Sequence, residues 1–260
     1  IKLKVLLLYF FIRKTEVKMR ISDMAEPIII EESKCDSRDL IMPHQKNAVE
    51  AMSKYFDLDK DIKDRNGLVV MPTGSGKTYT AVNWLLSEGV AKGYRVVWLV
   101  HRQELVEQTY RKQTPLLKGT DIKKIRIFPV SGVHMRMSMV SRGDVNVCSI
   151  ASVANKYGYR FIERMMGEQG KRKLIIVVDE AHHAVASNYQ KVIGRMTELN
   201  PNRVLLGLTA TPTRMQESQK SRLLRMFNAD KNIKNNVGVR GKGYVYEVML
   251  KQLLASGFLS

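Results

Sequence analysis

From Gly67 onward, short apolar runs alternate with stretches whose apolar positions recur at helical spacing. The strand-like runs are Leu68–Met71, Arg95–Val100, Ile125–Val130, Val145–Ile150, Leu174–Val178 and Val204–Leu208. Each is apolar throughout rather than alternating, which is what strands buried on both faces require. Between them the pattern predicts helices over Lys77–Ser87, after a glycine-bearing turn, and over Arg102–Gln113. A third helix places Tyr189, Val192, Ile193 and Met196 toward a core, and a fourth carries Leu223, Leu224 and Phe227. Strand and helix in strict alternation predict an α/β domain, a mostly parallel sheet with helices on both faces.

The pattern also sets boundaries. Residues 1–30 read as a leader, flexible or not native, and residues 31–260 as one domain. The leader's apolar run Val5–Ile12 is far below the roughly 20 residues that span a bilayer. Arg13 and Lys14 follow it with no small-residue cleavage site, so neither membrane nor export is expected. Asp57–Asn66 reads as a charged loop before the first core strand, and Asn228–Gly243 as a polar loop. Tyr244–Val248 resembles a further strand and Met249–Ala255 a further helix. No internal repeat or low-complexity tract interrupts this organisation.

Charge changes the picture more than composition does. Lys and Arg number 43 against 25 Asp and Glu, a formal net charge of +18. That excess concentrates polyanions, so nucleic acid or an anionic membrane face becomes the expected partner. The cations crowd Arg111–Arg142 and Arg214–Lys242, without aromatics at stacking intervals, which favours tracking of a phosphate backbone over reading of bases. Both patches can also be read as plain solvated faces. Cys35 and Cys148 are the only cysteines and form no CxxC pair. A disulfide framework or zinc ribbon is therefore not expected, and a reducing, cytoplasmic location fits.

Two motifs carry chemistry. Val69–Thr78 is a buried strand, a turn and a helix start, with Thr73, Gly74, Ser75 and Gly76 leading into Lys77 and Thr78. Glycines let backbone N–H groups converge on phosphate oxygens, and the helix N-terminus adds its partial positive charge. In such a loop Lys77 reaches the β- and γ-phosphates of ATP and the Thr78 hydroxyl ligates Mg²⁺. Met71 stands where the GxxxxGK[ST] pattern has its first glycine. The second motif places Asp179 and Glu180 at the carboxyl end of Leu174–Val178, the sheet edge where ligands bind in open α/β folds. Asp179 suits Mg²⁺, and Glu180 is positioned to orient and deprotonate the water attacking the γ-phosphate. His182 reads as a hydrogen-bond relay. A zinc site at His182 and His183 is disfavoured, because adjacent side chains are expected to diverge and no third ligand is suitably spaced. The Lys77 turn and the Asp179–Glu180 tip are expected to meet across neighbouring strand ends.

With Asp-Glu-Ala-His in place, the sequence resembles helicase superfamily 2, and within it the bacterial DEAD/DEAH-box group of type I and III restriction translocases and repair helicases. The resemblance covers about residues 38–260. It implies a RecA-like P-loop domain, the first of two, with 244–260 leading toward a second domain absent from this chain, and with it a missing arginine finger. Ile41–Gln45 resembles the segment before the phosphate loop, implying that Gln45 contacts adenine, although Met42 replaces the usual Arg. Val97–Leu105 is similar to the motif whose strand end grips backbone phosphate, through His101 and Arg102. Val147–Ser152 resembles a later strand-end motif that touches the tracked strand through Ser149. Leu206–Arg214 is similar to the Thr-Ala-Thr-Pro motif, implying that Thr209 and Thr211 lie beside the Asp179 strand and couple the γ-phosphate to movement.

The resemblance implies an ATP hydrolase acting on nucleic acid, with DNA favoured over RNA because the Thr-Ala-Thr-Pro and Asp-Glu-Ala-His-His forms resemble restriction and repair enzymes. Subunits of such complexes are the implied partners. The alternative is a nucleotide-switched DNA-binding subunit of a restriction or defence complex, without unwinding activity. A small-molecule P-loop kinase is disfavoured by the Asp-Glu-Ala-His run and the basic charge.

Overall fold

Along the central strands, successive apolar side chains enter two different cores, which is why the runs show no alternation. The computed structural model describes residues 28–31, 42–60, 65–101, 124–130, 143–166, 173–210, 216–230, 233–234, 240–241 and 243–258. In β2 (Arg65–Val70), β3 (Arg95–Val100), β6 (Leu174–Val178) and β7 (Val204–Thr209), one set of side chains faces each side of the sheet. Val69, Val96, Trp98, Val177 and Leu206 pack with Met52, Phe56 and Trp84 on one face. Leu68, Val97, Leu99, Ile176 and Leu205 pack with Phe161, Tyr189, Met196 and Phe227 on the other. Each buried Val or Leu contributes about 1.5–3 kcal/mol, so neither face could be left to solvent.

Among the described residues the sheet has eight strands, in the order β1-β4-β5-β3-β6-β7-β2-β10. Here β1 is Ile28–Glu31, β4 Lys124–Val130, β5 Val145–Ser149 and β10 Tyr246–Glu247. Only β1 runs antiparallel, against β4; the other seven strands are parallel. A separate antiparallel pair, β8 (Ile233–Lys234) with β9 (Arg240–Gly241), lies within the segment read as a polar loop. The mostly parallel sheet with helices on both faces agrees with the expected fold class.

Several boundaries move. The sheet begins at Ile28, inside the segment assigned to the leader, because Ile28–Ile30 complete the ladder of β4. Arg65 and Asn66 belong to β2 rather than to a loop. Arg65 hides there because its guanidinium donates to the carbonyls of Phe56 and Asp57, at 3.0 and 3.1 Å, and to the Tyr94 hydroxyl. Ile150 leaves β5 to open a short helix, Ile150–Val153. Two helices, Pro43–Phe56 and Lys156–Met166, had not been predicted. The helix after the glycine turn spans Lys77–Trp84 and continues as a π-type turn, Leu85–Gly89. The helix expected over Arg102–Gln113 lies outside the described residues. Tyr189, Val192, Ile193 and Met196 are buried, and Leu223 and Phe227 are fully so. Among the described residues, no helix is long and apolar enough to cross a membrane.

Candidate active site

Parallel strands place all their carboxyl ends on one edge, where β2, β7, β6 and β3 end side by side. The expectation that the Lys77 turn and the Asp179–Glu180 tip follow neighbouring strands is corrected. β7 lies between β2 and β6, paired in parallel with both. The two motifs still meet. Lys77 Nζ lies 3.3 Å from Glu180 Oε1, across the end of the intervening strand. The ends of β2 and β6 are two strand spacings apart, about 9.6 Å, a span covered by the turn after β2 and the long lysine side chain together.

The phosphate-loop candidate is tightly held. Gly74 and Gly76 have φ of 84° and 82°, in the left-handed region that glycine alone adopts without strain. A Cβ at Gly76 would also collide with the Gln45 side-chain amide. Ser75 is buried and its hydroxyl donates to the Pro72 carbonyl at 2.7 Å. The Ser75 carbonyl in turn lies 2.9 Å from His44 Nε2 and accepts from Gln45 Nε2 at 3.0 Å. Gln45 Oε1 accepts from the Met42 N–H. Both ends of the carboxamide that was expected to read adenine are thus engaged by the chain itself, bracing the loop. His44, which sequence reasoning passed over, shares that work. Thr73 and Gly74 are exposed at the mouth of the turn, and Thr78 is half-buried on the first turn of the helix.

The acidic tip combines strain with opposed electrostatics. Glu180 has φ 48° and ψ 56°, a left-handed backbone costing a non-glycine residue about 1–2 kcal/mol. That turn swings its carboxylate toward Lys77 and starts the 3₁₀ turn Ala181–Val185. His182 holds the Glu180 carboxyl below its ordinary range, with Lys77 adding to the effect and burial opposing it. His182 Nδ1 lies 3.4 Å from Glu180 Oε2 and 3.4 Å from Thr209 Oγ1. An ionised carboxylate can only accept, so a hydrogen bond between the two is one that Nδ1 donates. Burial pushes the Asp179 carboxyl up, and Lys77 and the Glu180 N–H, which donates to Asp179 Oδ1 at 3.0 Å, pull it back.

Other expected site residues separate here. Thr209 is fully buried at the end of β7, next to β6 as expected, and within reach of His182. Thr211 and Arg102 lie outside the described residues. Ser149 is 1% exposed and its hydroxyl accepts from the Ser152 N–H while bonding the Ser152 hydroxyl at 2.7 Å. It caps the Ile150–Val153 helix, a corrected role, because a hydroxyl so engaged does not face a passing phosphate. His101 is exposed and its ring stacks on His183, with centroids 3.8 Å apart and planes 9° apart. The rings of His182 and His183 lie 4.2 Å apart, so these neighbours do not diverge as anticipated. In a 3₁₀ turn successive side chains step round by about 120° rather than the 180° of a strand, so neighbouring rings can meet. Nothing in the spacing of the sequence announced the His101 contact, since the two rings come from different strand ends. Among the described residues, no group of three His, Cys, Asp or Glu is arranged to hold a metal ion.

Residues 40–214 match the family model described as type III restriction enzyme, res subunit. A 51.5 kDa protein of a Lactococcus phage is 26% identical over 148 residues, covering 57% of this chain and 25% of the phage protein. IRC3 of Saccharomyces cerevisiae, named as a candidate ATP-dependent helicase, is 28% identical over 170 residues, 62% of this chain and 21% of that protein. The chain therefore spans about a quarter of the length of the curated relatives it matches. Among solved structures, the Hef helicase domain of Pyrococcus furiosus gives a TM-score of 0.52 at 23% identity, over 76% of this chain and 38% of that one. The ATP-dependent type ISP restriction-modification enzyme LlaBIII, bound to DNA, gives 0.54 at 17% identity, over 87% and 16%. The SWI2/SNF2 ATPase core of Sulfolobus solfataricus, in complex with double-stranded DNA, gives 0.51 at 14% identity, over 79% and 38%. At these identities the structural likeness establishes the fold, which is that of a RecA-like helicase domain. The chain belongs to the family of type III restriction enzyme res subunits, and it carries the N-terminal RecA-like domain of a superfamily 2 helicase.

Proposed function

We propose that this domain binds ATP with Mg²⁺ at the ends of β2, β7 and β6 and hydrolyses it to drive a DEAD/DEAH-box helicase or translocase along DNA. The observation that carries the reading is the 3.3 Å approach of Lys77 to Glu180 across β7, with His182 against the same carboxylate and Thr209 against His182. Lys77 would move to the β- and γ-phosphates, whose charge outcompetes a single carboxylate, and so release Glu180 to the attacking water. Glu180 then accepts the water proton as the oxygen bonds to Pγ and the bond from Pγ to the ADP oxygen breaks. Thr78 and Asp179 would hold the Mg²⁺. Both offer hard oxygen, and the burial that raises the Asp179 pKa is a cost that a divalent cation offsets. When bound, the ion would neutralise charge developing on the phosphate oxygens.

DNA is favoured as the track by the family's restriction subunits, by the DNA-bound neighbours and by the +18 charge. Relatives much longer than this chain fit a second RecA-like domain supplying an arginine finger, worth about 10³–10⁵ in rate. The test is calorimetry of ATP·Mg²⁺ on this domain, then turnover of the full-length protein with and without double-stranded DNA. Lys77→Ala should abolish binding, whereas Glu180→Gln should keep it and stop turnover. Binding without turnover in the parent would favour a nucleotide switch over a motor. No heat on adding nucleotide would end both readings.

A further inference from the structure

Three imidazoles form a line from the exposed end of β3 to the acidic tip. His101 directly follows β3, and its ring lies parallel to that of His183 at 3.8 Å. His183 meets His182 at 4.2 Å with planes tilted by 40°. His182 Nδ1 then reaches Glu180 Oε2, whose other oxygen holds Lys77. We propose that His183 is a positioning residue that, through this stack, makes the orientation of His182, and hence of Glu180, depend on where His101 is held. The inference rests on the motor reading above, together with the expectation from the sequence that His101 stands at the nucleic-acid face.

The strands themselves cannot carry such a signal. β3 and β6 are adjacent and locked in register from Arg95 against Leu174 to Leu99 against Val178. The Asp179 N–H continues that ladder to the Leu99 carbonyl at 3.0 Å. A small displacement of the chain after Val100 therefore does not shift β6. It reaches the acidic tip through side chains. Flat rings at van der Waals separation repel steeply when pushed together, so a moved His101 ring carries the His183 ring with it. The turn bearing His182 and His183 is pinned by hydrogen bonds from the His183 N–H to the Glu180 carbonyl and from the Ala186 N–H to the His183 carbonyl. Ala181 and Ala184 are fully buried beneath it. With the backbone held, a displacement of His101 can act on the tip only through side chains. Rings set face to face also keep their nitrogens from converging on one point, so the line is not a zinc cradle.

The experiment uses the full-length protein, ATP·Mg²⁺ and a double-stranded DNA fragment, and reads the ratio of DNA-stimulated to basal turnover. His183→Ala should lower that ratio about tenfold, within the usual range of coupling between two sites. Nucleotide KM, and DNA affinity by fluorescence anisotropy, should stay within about twofold, since coupling rather than either binding event is lost. His183→Phe keeps a flat ring and should restore most of the ratio, which a loss of folding or of a hydrogen bond would not allow. His101→Ala, at an exposed position, should lower the ratio similarly, and the double variant should be no worse than either single one. Full stimulation in His183→Ala, no rescue by Phe, or additive losses in the double variant would each overturn the inference while leaving the motor reading standing. A parent protein that binds ATP but is not stimulated by DNA would overturn both.

Discussion

Glu180 gathers most of the site's electrostatics on one strained residue. Its carboxyl is held below the ordinary glutamate range, first by His182 and then by Lys77. A group whose pKa is depressed by folding adds stability above its unfolded pKa, and that stability is lost as pH falls through the folded value. Melting temperature should therefore drop on acidification below the ordinary glutamate pKa, and drop less in Glu180→Gln than in the parent. Parallel curves for the two proteins would show that the carboxylate is unpaired in solution. Lys77 has the complementary role. Losing charge-assisted bonds to two phosphates removes about 3 kcal/mol or more, so Lys77→Ala should weaken ATP binding by at least about 100-fold in calorimetry.

At the scale of elements, sequence reasoning set β7 beside β6 but not between β6 and β2. Its insertion between β2 and β6 puts Thr209 within reach of His182 at the acidic tip. Gly207 lets it sit there, since a Cβ would fall 2.7 Å from Phe227 and 2.8 Å from Leu68. Phe227 is fully buried and seals the helix Glu217–Met226 onto β7 and β2. Phe227→Ala should destabilise the domain by about 3–5 kcal/mol, seen as a lower midpoint in urea. A midpoint unchanged within error would mean that this helix does not depend on the contact.

For the whole molecule, the +18 charge is the term that acts at a distance. A protein that neutralises six to ten phosphates loses about 10³–10⁵ in affinity between about 50 and 200 mM salt. The DNA affinity of the full-length protein should follow that slope in anisotropy titrations, whereas its ATP affinity should change far less. Salt-independent DNA binding would assign the charge to solubility alone. The family match covers residues 40–214, which contain the loop, the acidic tip and the Thr-Ala-Thr strand end together.

The nucleotide motifs and the fold class were legible in the sequence because both are local. Six apolar runs became strands, and Lys77, Asp179, Glu180 and Thr209 stand at strand ends or helix starts set by their own neighbours in the chain. A buried arginine in β2, a hydroxyl turned inward at Ser149 and a strand at Ile28 were not legible. The strand depends on distant β4 and the arginine on the Phe56 carbonyl and the Tyr94 hydroxyl, while the serine turns inward only because the chain leaves β5 there as a helix that its hydroxyl caps. Strand order is of the same kind. A run of valines is equally apolar beside any neighbour, and only the packed sheet decides that β7 separates the lysine from the glutamate it reaches, and that His101 lies flat against His183.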